Sequence, residues 1–551
     1  MESLSDTIWD VVICGTGMQQ SLLALALSRS NKNILHIDPN GYYGGSEAAL
    51  SLSEADAWAA ARPEASVTRP ASAAEGGVPK LGPLSAYSVA LAPQFVHARS
   101  ALVDLLVSSR AFRQLEFLAV SSFYVLEASS TPPHQPVIVR IPATREDVFA
   151  NTAMPVRAKR QLMKFLKFVL AYDGEDKAEG LGGDKKTGGE SLWWAHALEP
   201  LGAFLQSNFG LDDRLRDNVL ALTLSLDGAS VTVAEGLARL HRHISSMGLF
   251  GPGFAAVYPK WGGCGEIVQV ACRAAAVGGG IYMLGSGIRS IKTVASDGEN
   301  STASQAELLE LDLTRDMTIK TKLLVRGSEE IVEVPSEPVT GPAVADSREQ
   351  QLSRLIAVVG APLPFLFAPT VEGAPVAGGA VIALPAGRPI KADGPVPEHP
   401  IFVMAHSSDT GECPTGQSVL HFTTIGTERS KATLESALGA VLAALVHEVD
   451  SNDASGQNES PLIPCLYKLY YEQPRGGSGA SAASEEATKG EFGPTSVFRF
   501  PPLPVDLVVQ DAPLGVVRDA WKRVMGGDAD DATYMAFEDR EGNAADNIEY
   551  D

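Results

Sequence analysis

The stretch Asp10-Val11-Val12-Ile13-Cys14, followed at once by Gly15-Thr16-Gly17, constrains this chain more than any other. Its apolar residues run without alternation, which marks a strand buried on both faces, as in a parallel sheet covered by helices. Residues 21–27, rich in Leu and Ala, read as a helix after the glycine turn. Ile34-Leu35-His36-Ile37 reads as a second buried strand ending at Asp38. Strand, glycine turn, helix and strand within about 30 residues make a βαβ unit, the opening of a dinucleotide-type domain.

The glycine turn is incomplete. Gly15 permits the tight turn, Gly17 lets a pyrophosphate approach the helix N-terminus, and Asp38 has the spacing of an acid that would bond a ribose hydroxyl. The third fingerprint position is Gln20, and with Gln19 it sets two bulky amides where a phosphate would be crowded. Two readings follow: a flavin site, or a scaffold turn that binds nothing.

Further along, residues 162–172 carry Leu162, Phe165, Leu166, Val169 and Tyr172 on one helical stripe, and helical patterning continues over 191–247. The expected fold class is α/β: a flavin-binding-type domain (FAD/NAD(P)-like) with an inserted, mostly helical second domain. The boundaries expected are 1–139 plus 248–525 for the first and 140–247 for the second. Stretches 59–85, 173–190, 296–350 and 474–495 read as loops or insertions, the third with short strand-like runs such as Lys322-Leu323-Leu324-Val325. From Gly526 onward nine acidic residues face one arginine, so 526–551 reads as a solvated acidic tail.

At 551 residues the chain exceeds one domain, and its formal net charge of -22 makes nucleic acid a poor partner, since binding it requires a basic surface. The five cysteines (Cys14, Cys264, Cys272, Cys413 and Cys465) are scattered without a C-x-x-C spacing, which fits a reducing compartment and gives no zinc motif. No targeting signal and no run of about 18 apolar residues is read, so a cytoplasmic location is expected. His36 and His421 alternate with apolar residues in strands and are expected in the core. His241 and His243, two apart, point to different helix faces and do not pair for a metal. No catalytic constellation and no metal site is expected.

Residues 264–277 stand apart. Glycines precede this helix and Gly278-Gly279-Gly280 stop it, with Glu266 in its first turn and Arg273 toward its end. A separation of seven residues is almost two turns, so both charges share a face, about 10 Å apart along the axis. They cannot satisfy one another directly and are available to a partner. The plainer reading is a surface helix whose charges match its dipole.

Tyr42-Tyr43-Gly44-Gly45 after Asp38, with Gly265-Glu266 and Gly279-Gly280-Ile281-Tyr282-Met283-Leu284, resembles the superfamily of Rab GDP-dissociation inhibitors and Rab escort proteins. The resemblance covers about 9–125 and 140–290. It implies a flavin-type fold without flavin or other cofactor, serving as a platform for GDP-bound Rab GTPases, with no catalysis of its own. It places the Rab-binding residues on Tyr43, Glu266, Arg273 and Met283. The extra length and the stretch 142–166 resemble the escort branch, whose members present newly made Rabs to the α/β heterodimer of Rab geranylgeranyl transferase. They then shield the geranylgeranyl lipid until membrane delivery, touching membranes only transiently. For the lipid groove the candidate walls are Leu162, Phe165, Leu166 and Val169, which equally suit simple core packing. Arg242 and His243 are the candidates for transferase contact. Leu249-Phe250 departs from the family pattern, where Arg-Tyr is common.

Overall fold

The computed structural model describes residues 4–70, 80–128, 135–142, 145–150, 154–172, 193–295, 307–327, 351–391, 394–452, 463–476, 491–492 and 496–538. The opening βαβ unit forms as its sequence dictates. Strand Val11–Cys14 and strand Ile34–Asp38 are wholly buried and pair in parallel, joined by the helix Met18–Leu27, all ten residues of which are buried. Around this unit a six-stranded sheet assembles in the order Ile281–Leu284, Ile34–Asp38, Val11–Cys14, Leu324–Arg326, Val497–Arg499 and Glu491–Phe492. The first five strands are parallel and the last is antiparallel. One face of this sheet carries the helices Met18–Leu27, Cys264–Val277 and Ala512–Met525 over a shared apolar core that includes Ile13, Leu22, Ile267, Val517 and Trp521. The other face packs Val12, Leu35 and Ile37 against an antiparallel meander of Ile288–Ala295, Glu307–Leu313 and Met317–Thr321.

A ten-stranded sheet forms a second layer system, from Ser66–Thr68 at one edge through Cys465–Pro474, Gln351–Val359, Ser418–Ile425, Ile401–Ser407 and Gly379–Leu384 to Phe117–Ala128, Ala256–Pro259 and Val96–His97. Pro136–Arg140 pairs on its flank. Helix Ser430–Asn452 covers one face through Leu434, Ala437, Val441 and Leu445.

The described residues of 140–247 are mainly helical, with helices Arg145–Ala150, Val156–Leu170, Leu201–Phe209, Asp213–Thr223 and Val233–Ser246. Asp212 and Thr232 cap the last two by accepting from the amides of Leu215 and Glu235, which satisfies donors the helix leaves unpaired. Phe165, Phe204 and Phe209 interlock in their core with Leu237 and Leu240.

Three expectations are corrected. The region 296–350 holds more sheet than expected: Glu307–Leu313 and Met317–Thr321 are strands, while the strand-like run at Lys322-Leu323-Leu324-Val325 does yield the strand Leu324–Arg326, central in the parallel sheet. Leu309, Leu311 and Leu313 alternate inward, and the acids between them, which made the segment read as polar, take the outer face. Ser66–Thr68, inside the expected 59–85 loop, adds an edge strand, and Glu491–Phe492, inside 474–495, pairs with Val497–Arg499. The tail is not solvated from Gly526. Met535 is fully buried, Tyr534 stacks on Trp521 at 5.1 Å, and Phe537 packs on the helical face of the parallel sheet. The expected loop at 173–190 lies outside the described residues, as do 539–551.

Candidate functional site

Each group that would meet a dinucleotide at the glycine turn is engaged by the chain itself. Gly15 takes φ 87°, the left-handed backbone that the turn requires. Asp38, 1% exposed, accepts from the Thr16 amide at 2.7 Å and the Thr16 hydroxyl at 2.6 Å through Oδ2. Its Oδ1 accepts from the Asn40 amide at 2.7 Å and the Asn40 side chain at 3.0 Å. The N-terminus of helix Met18–Leu27, where a phosphate would sit, instead faces Glu47: its Oε2 accepts from the Met18 amide at 3.2 Å. A Cβ at Gly17 would lie 3.1 Å from the Gln20 amide oxygen, so Gln20 folds over the same spot. Two anions cannot share one helix N-terminus, so these residues do not fit a flavin pyrophosphate.

Just beyond this turn, Tyr43 stands half-buried with its ring 6.1 Å from that of Tyr282, edge to face. Tyr282 lies on the edge strand Ile281–Leu284 beside the helix that carries Cys272, and its hydroxyl is buried without a hydrogen-bond partner among the described residues. The Cys272 thiol lies 3.3 Å from the Ser21 hydroxyl and is pushed up to about 11 by burial. Burial likewise raises the Tyr43 phenol, so it remains a neutral donor. Met283, next along the strand, points to the opposite face and packs on the Leu35–Ile37 side. The structure therefore joins Tyr43 to the edge strand through Tyr282, beside the helix Cys264–Val277, while Met283 contributes from across the sheet edge.

Helix Cys264–Val277 is held at both ends by glycines. At Gly262 an added Cβ would fall 2.2 Å from that of Ala49, and at Gly278 it would fall 1.9 Å from the Ser28 carbonyl oxygen. These contacts press the helix against the Tyr43 segment and against the end of the first helix. Glu266 is half-buried and Arg273 exposed. Burial raises the Glu266 carboxyl above its ordinary value, and the charge of Arg273 partly offsets this. The two interact through charge along a shared face and do not form an ion pair.

One residue escaped sequence reasoning. Trp261, immediately before the paired glycines, is 52% exposed, holds φ 73° and lies on Gly411, with the Lys260 ammonium 4.8 Å from its ring centre. An exposed tryptophan fixed in a left-handed backbone beside a charged helix has the chemistry of an interface anchor. The Trp-Gly-Gly sequence itself was the available signal.

The remaining candidates lie elsewhere. Phe165 and Val169 are buried in the helical core, and Leu162 and Leu166 are only half-exposed on its flank. Among the described residues, the same region exposes Val156, Leu170, Trp194 and Leu198 more strongly. His243 is 3% exposed, its Nδ1 3.3 Å from His97 Nε2, and Arg242 donates to the Arg99 carbonyl at 3.1 Å and to Asp511 at 2.9 Å. Both residues tie the helical layer to the rest of the molecule.

One cluster of metal-ligating types is present among the described residues: His406, Glu412 and His421, all buried. His406 Nδ1 is 2.8 Å and His421 Nε2 3.2 Å from Glu412 Oε2, while the Tyr258 hydroxyl donates to Oε1 at 2.5 Å. Burial alone would raise the Glu412 carboxyl, but the two imidazoles outweigh it and hold the group well below the usual carboxylate range. The carboxylate is thus saturated by the fold's own donors, and His421 is the core residue expected, bonded through Nε2 while its buried Nδ1 has no partner among the described residues.

Comparison with known proteins agrees with this reading. The profile of the family described as GDP dissociation inhibitor matches residues 5–310. Rab proteins geranylgeranyltransferase component A of Saccharomyces cerevisiae is 28% identical over 495 residues, covering 84% of this chain and 74% of the relative. The protein of the same name from Candida albicans is 28% identical, covering 80% of this chain and 63% of the relative. The Rab GDP-dissociation inhibitor of S. cerevisiae is 26% identical over 364 residues, covering 65% of this chain and 70% of the relative. Among solved structures, Rab GDI from Plasmodium falciparum superposes with a TM-score of 0.58 at 18% identity, covering 95% of this chain and 99% of that one. An oxidoreductase from Methanosarcina mazei gives 0.55 at 14% identity, covering 93% and 99%. These two likenesses establish the fold: mixed α/β, of the type shared by Rab GDI and oxidoreductases. With the family profile spanning more than half its length, the chain belongs to the GDP dissociation inhibitor family.

Proposed function

We propose that this chain is a Rab escort protein: it binds newly made, GDP-bound Rab GTPases and presents them to Rab geranylgeranyl transferase. It then carries the lipidated product through the cytoplasm to membranes. Tyr43, Glu266, Arg273 and Met283 supply the binding surface, with Trp261 beside them. They combine aromatic anchors, opposite charges and an adaptable thioether, the mixture expected at the centre of an interface. Telling GDP from GTP requires reading the partner's switch segments, which the γ-phosphate orders differently. The job is equilibrium binding, and no bond is made or broken by these residues. The observation that carries the escort reading is the long match to the yeast component A, which extends over 84% of the chain against 65% for the yeast dissociation inhibitor.

Reconstitution tests it. With transferase, unprenylated Rab and lipid donor, prenylation is expected to require this chain. Prenylation that proceeds equally without it rejects the escort role. The second reading, a dissociation inhibitor that extracts Rabs from membranes, is favoured by the shared fold with a solved Rab GDI. Extraction of prenylated Rab from vesicles without any effect on prenylation would select it. A flavin-dependent oxidoreductase, the reading from another class, is opposed by the Glu47 carboxylate at the phosphate position. A flavin absorption spectrum in the purified protein would restore it.

A further inference from the structure

Helix Val156–Leu170 runs against the charge of its chain. Its 15 residues hold Arg157, Lys159, Arg160, Lys164 and Lys167 and no acid, while the whole chain carries a net charge of -22. These cations oppose the helix's own formation. Arg157, Lys159 and Arg160 crowd the positive end of its dipole, where the first turn has no acid and Pro155 supplies no side-chain cap. Arg157, Arg160, Lys164 and Lys167 follow at steps of three and four, so like charges stand side by side in one exposed row. Among the described residues none of these four forms an ion pair, and the Lys164 ammonium lies 5.4 Å from the Phe209 ring centre.

A second row runs beside the first. Val156, Met163 and Leu170 recur every seven residues, Val156 65% and Leu170 58% exposed and Met163 half-buried. The exposed Phe149 stands nearby, its carbonyl accepting from Lys159 Nζ at 2.8 Å. Packing of the helical layer uses only the opposite face, through Ala158, Phe165 and Val169. Neither outer row is explained by the fold.

We propose that this outer face of helix Val156–Leu170 is a docking surface for an anionic phospholipid membrane. The helix lies flat on it, with the basic row among the headgroups and the apolar row at the acyl boundary. Charge complementarity selects this occupant. The rest of the chain is acidic and repelled by such a surface, so the basic row also sets the orientation of approach. An acidic protein is the poorer fit, because lysine is depleted from the cores of protein interfaces. The basic row is about 15 Å long and the apolar row about 21 Å, enough for several headgroups. Each basic residue near an anionic leaflet adds about fivefold in affinity, so the four together give a reversible, salt-sensitive contact. No helix among the described residues is long and apolar enough to cross a membrane, and this contact needs none. The docking itself requires no GTPase. Its use, bringing a carried lipid to the membrane, rests on the function proposed above.

Flotation of the full-length chain with vesicles tests it. Vesicles of phosphatidylcholine with about 30% phosphatidylserine are expected to bind at least tenfold more tightly than phosphatidylcholine alone, and about 0.5 M salt should release the chain. K164Q/K167Q should weaken this binding about tenfold or more and V156S/L170S several-fold, with unchanged melting temperatures because all four side chains are exposed. K164R/K167R, which keeps the charge, is expected to bind like the unaltered chain. Equal binding to both kinds of vesicle, full binding by K164Q/K167Q, or loss of binding in K164R/K167R overturns the proposal. So does a chain that ignores acidic vesicles but loses capture by purified transferase in K164Q/K167Q, which would give the face to a protein. A parallel prenylation assay separates the two claims. Binding to acidic vesicles by a chain without effect on prenylation keeps the membrane face and rejects the escort reading; prenylation that requires a chain indifferent to acidic vesicles does the reverse.

Discussion

His97 Nε2 and His243 Nδ1 lie 3.3 Å apart in the seam where helix Val233–Ser246 meets the strand Val96–His97. One ring's N–H faces the other's ring nitrogen, and Phe123 closes the contact edge to face at 4.9 Å from His243. Burial lowers both imidazoles, His243 to about 4, and His97 feels the added charges of His243, Arg242 and Arg239.

This seam makes the helical layer acid-sensitive. A histidine whose folded value lies below its unfolded value of about 6.5 stabilises fully above pH 6.5 and loses that contribution as pH falls toward the folded value. Between pH 6.5 and 5 the loss for His243 is about 2 kcal/mol. Urea unfolding at both pH values should show this fall in the unaltered chain and a visibly smaller one in His243→Phe, which keeps the ring packing. Identical pH slopes would remove the pair from the account.

Glu412 is the second sensitive point. Three donors, from Tyr258, His406 and His421, converge on its buried carboxylate. Glu412→Ala leaves all three without an acceptor and is expected to cost about 3–5 kcal/mol, enough to lower the melting temperature markedly. Glu412→Gln, which keeps shape and one acceptor, should cost less. A chain indifferent to both changes would mean that water replaces the carboxylate.

Gly278→Ala probes the platform's rigidity. The new methyl would meet the Ser28 carbonyl backbone, which cannot swing aside as a side chain can. A destabilisation of about 2–4 kcal/mol is expected, together with weaker Rab binding, because the helix carrying Glu266 and Arg273 must shift. Gly279, where an added Cβ meets nothing, is the control for space, although its φ of 101° leaves some strain.

Arg273→Ala is predicted to weaken GDP-bound Rab about tenfold or more with little effect on folding, since the side chain is exposed. Calorimetry or fluorescence titration measures it. Unchanged affinity would take Arg273 out of the interface.

The βαβ opening was legible because an unbroken apolar run, a glycine turn and a second run leave few alternatives. The helix at Cys264–Val277 was legible for a related reason, the glycines at both its ends. The ten-stranded sheet was not: its strands come from segments as distant as Ser66–Thr68 and Cys465–Pro474, and no local pattern announces such pairing. The strand Glu307–Leu313 was hidden by its solvent-facing acids. At the site, the charges on the helix followed from spacing alone. Burial of His243 did not, because its neighbour His97 is 146 residues away in the chain.

The carboxylate of Glu47 at the Met18 amide has a consequence for how this protein comes to exist in a cell. In a flavoprotein of this architecture, the bound cofactor adds stability in proportion to its concentration, so apoprotein is the weaker species. Here the equivalent anion is a residue, present once per molecule and in register from synthesis. A helix N-terminus that carries its own carboxylate needs no bound pyrophosphate to neutralise that end as the sheet folds.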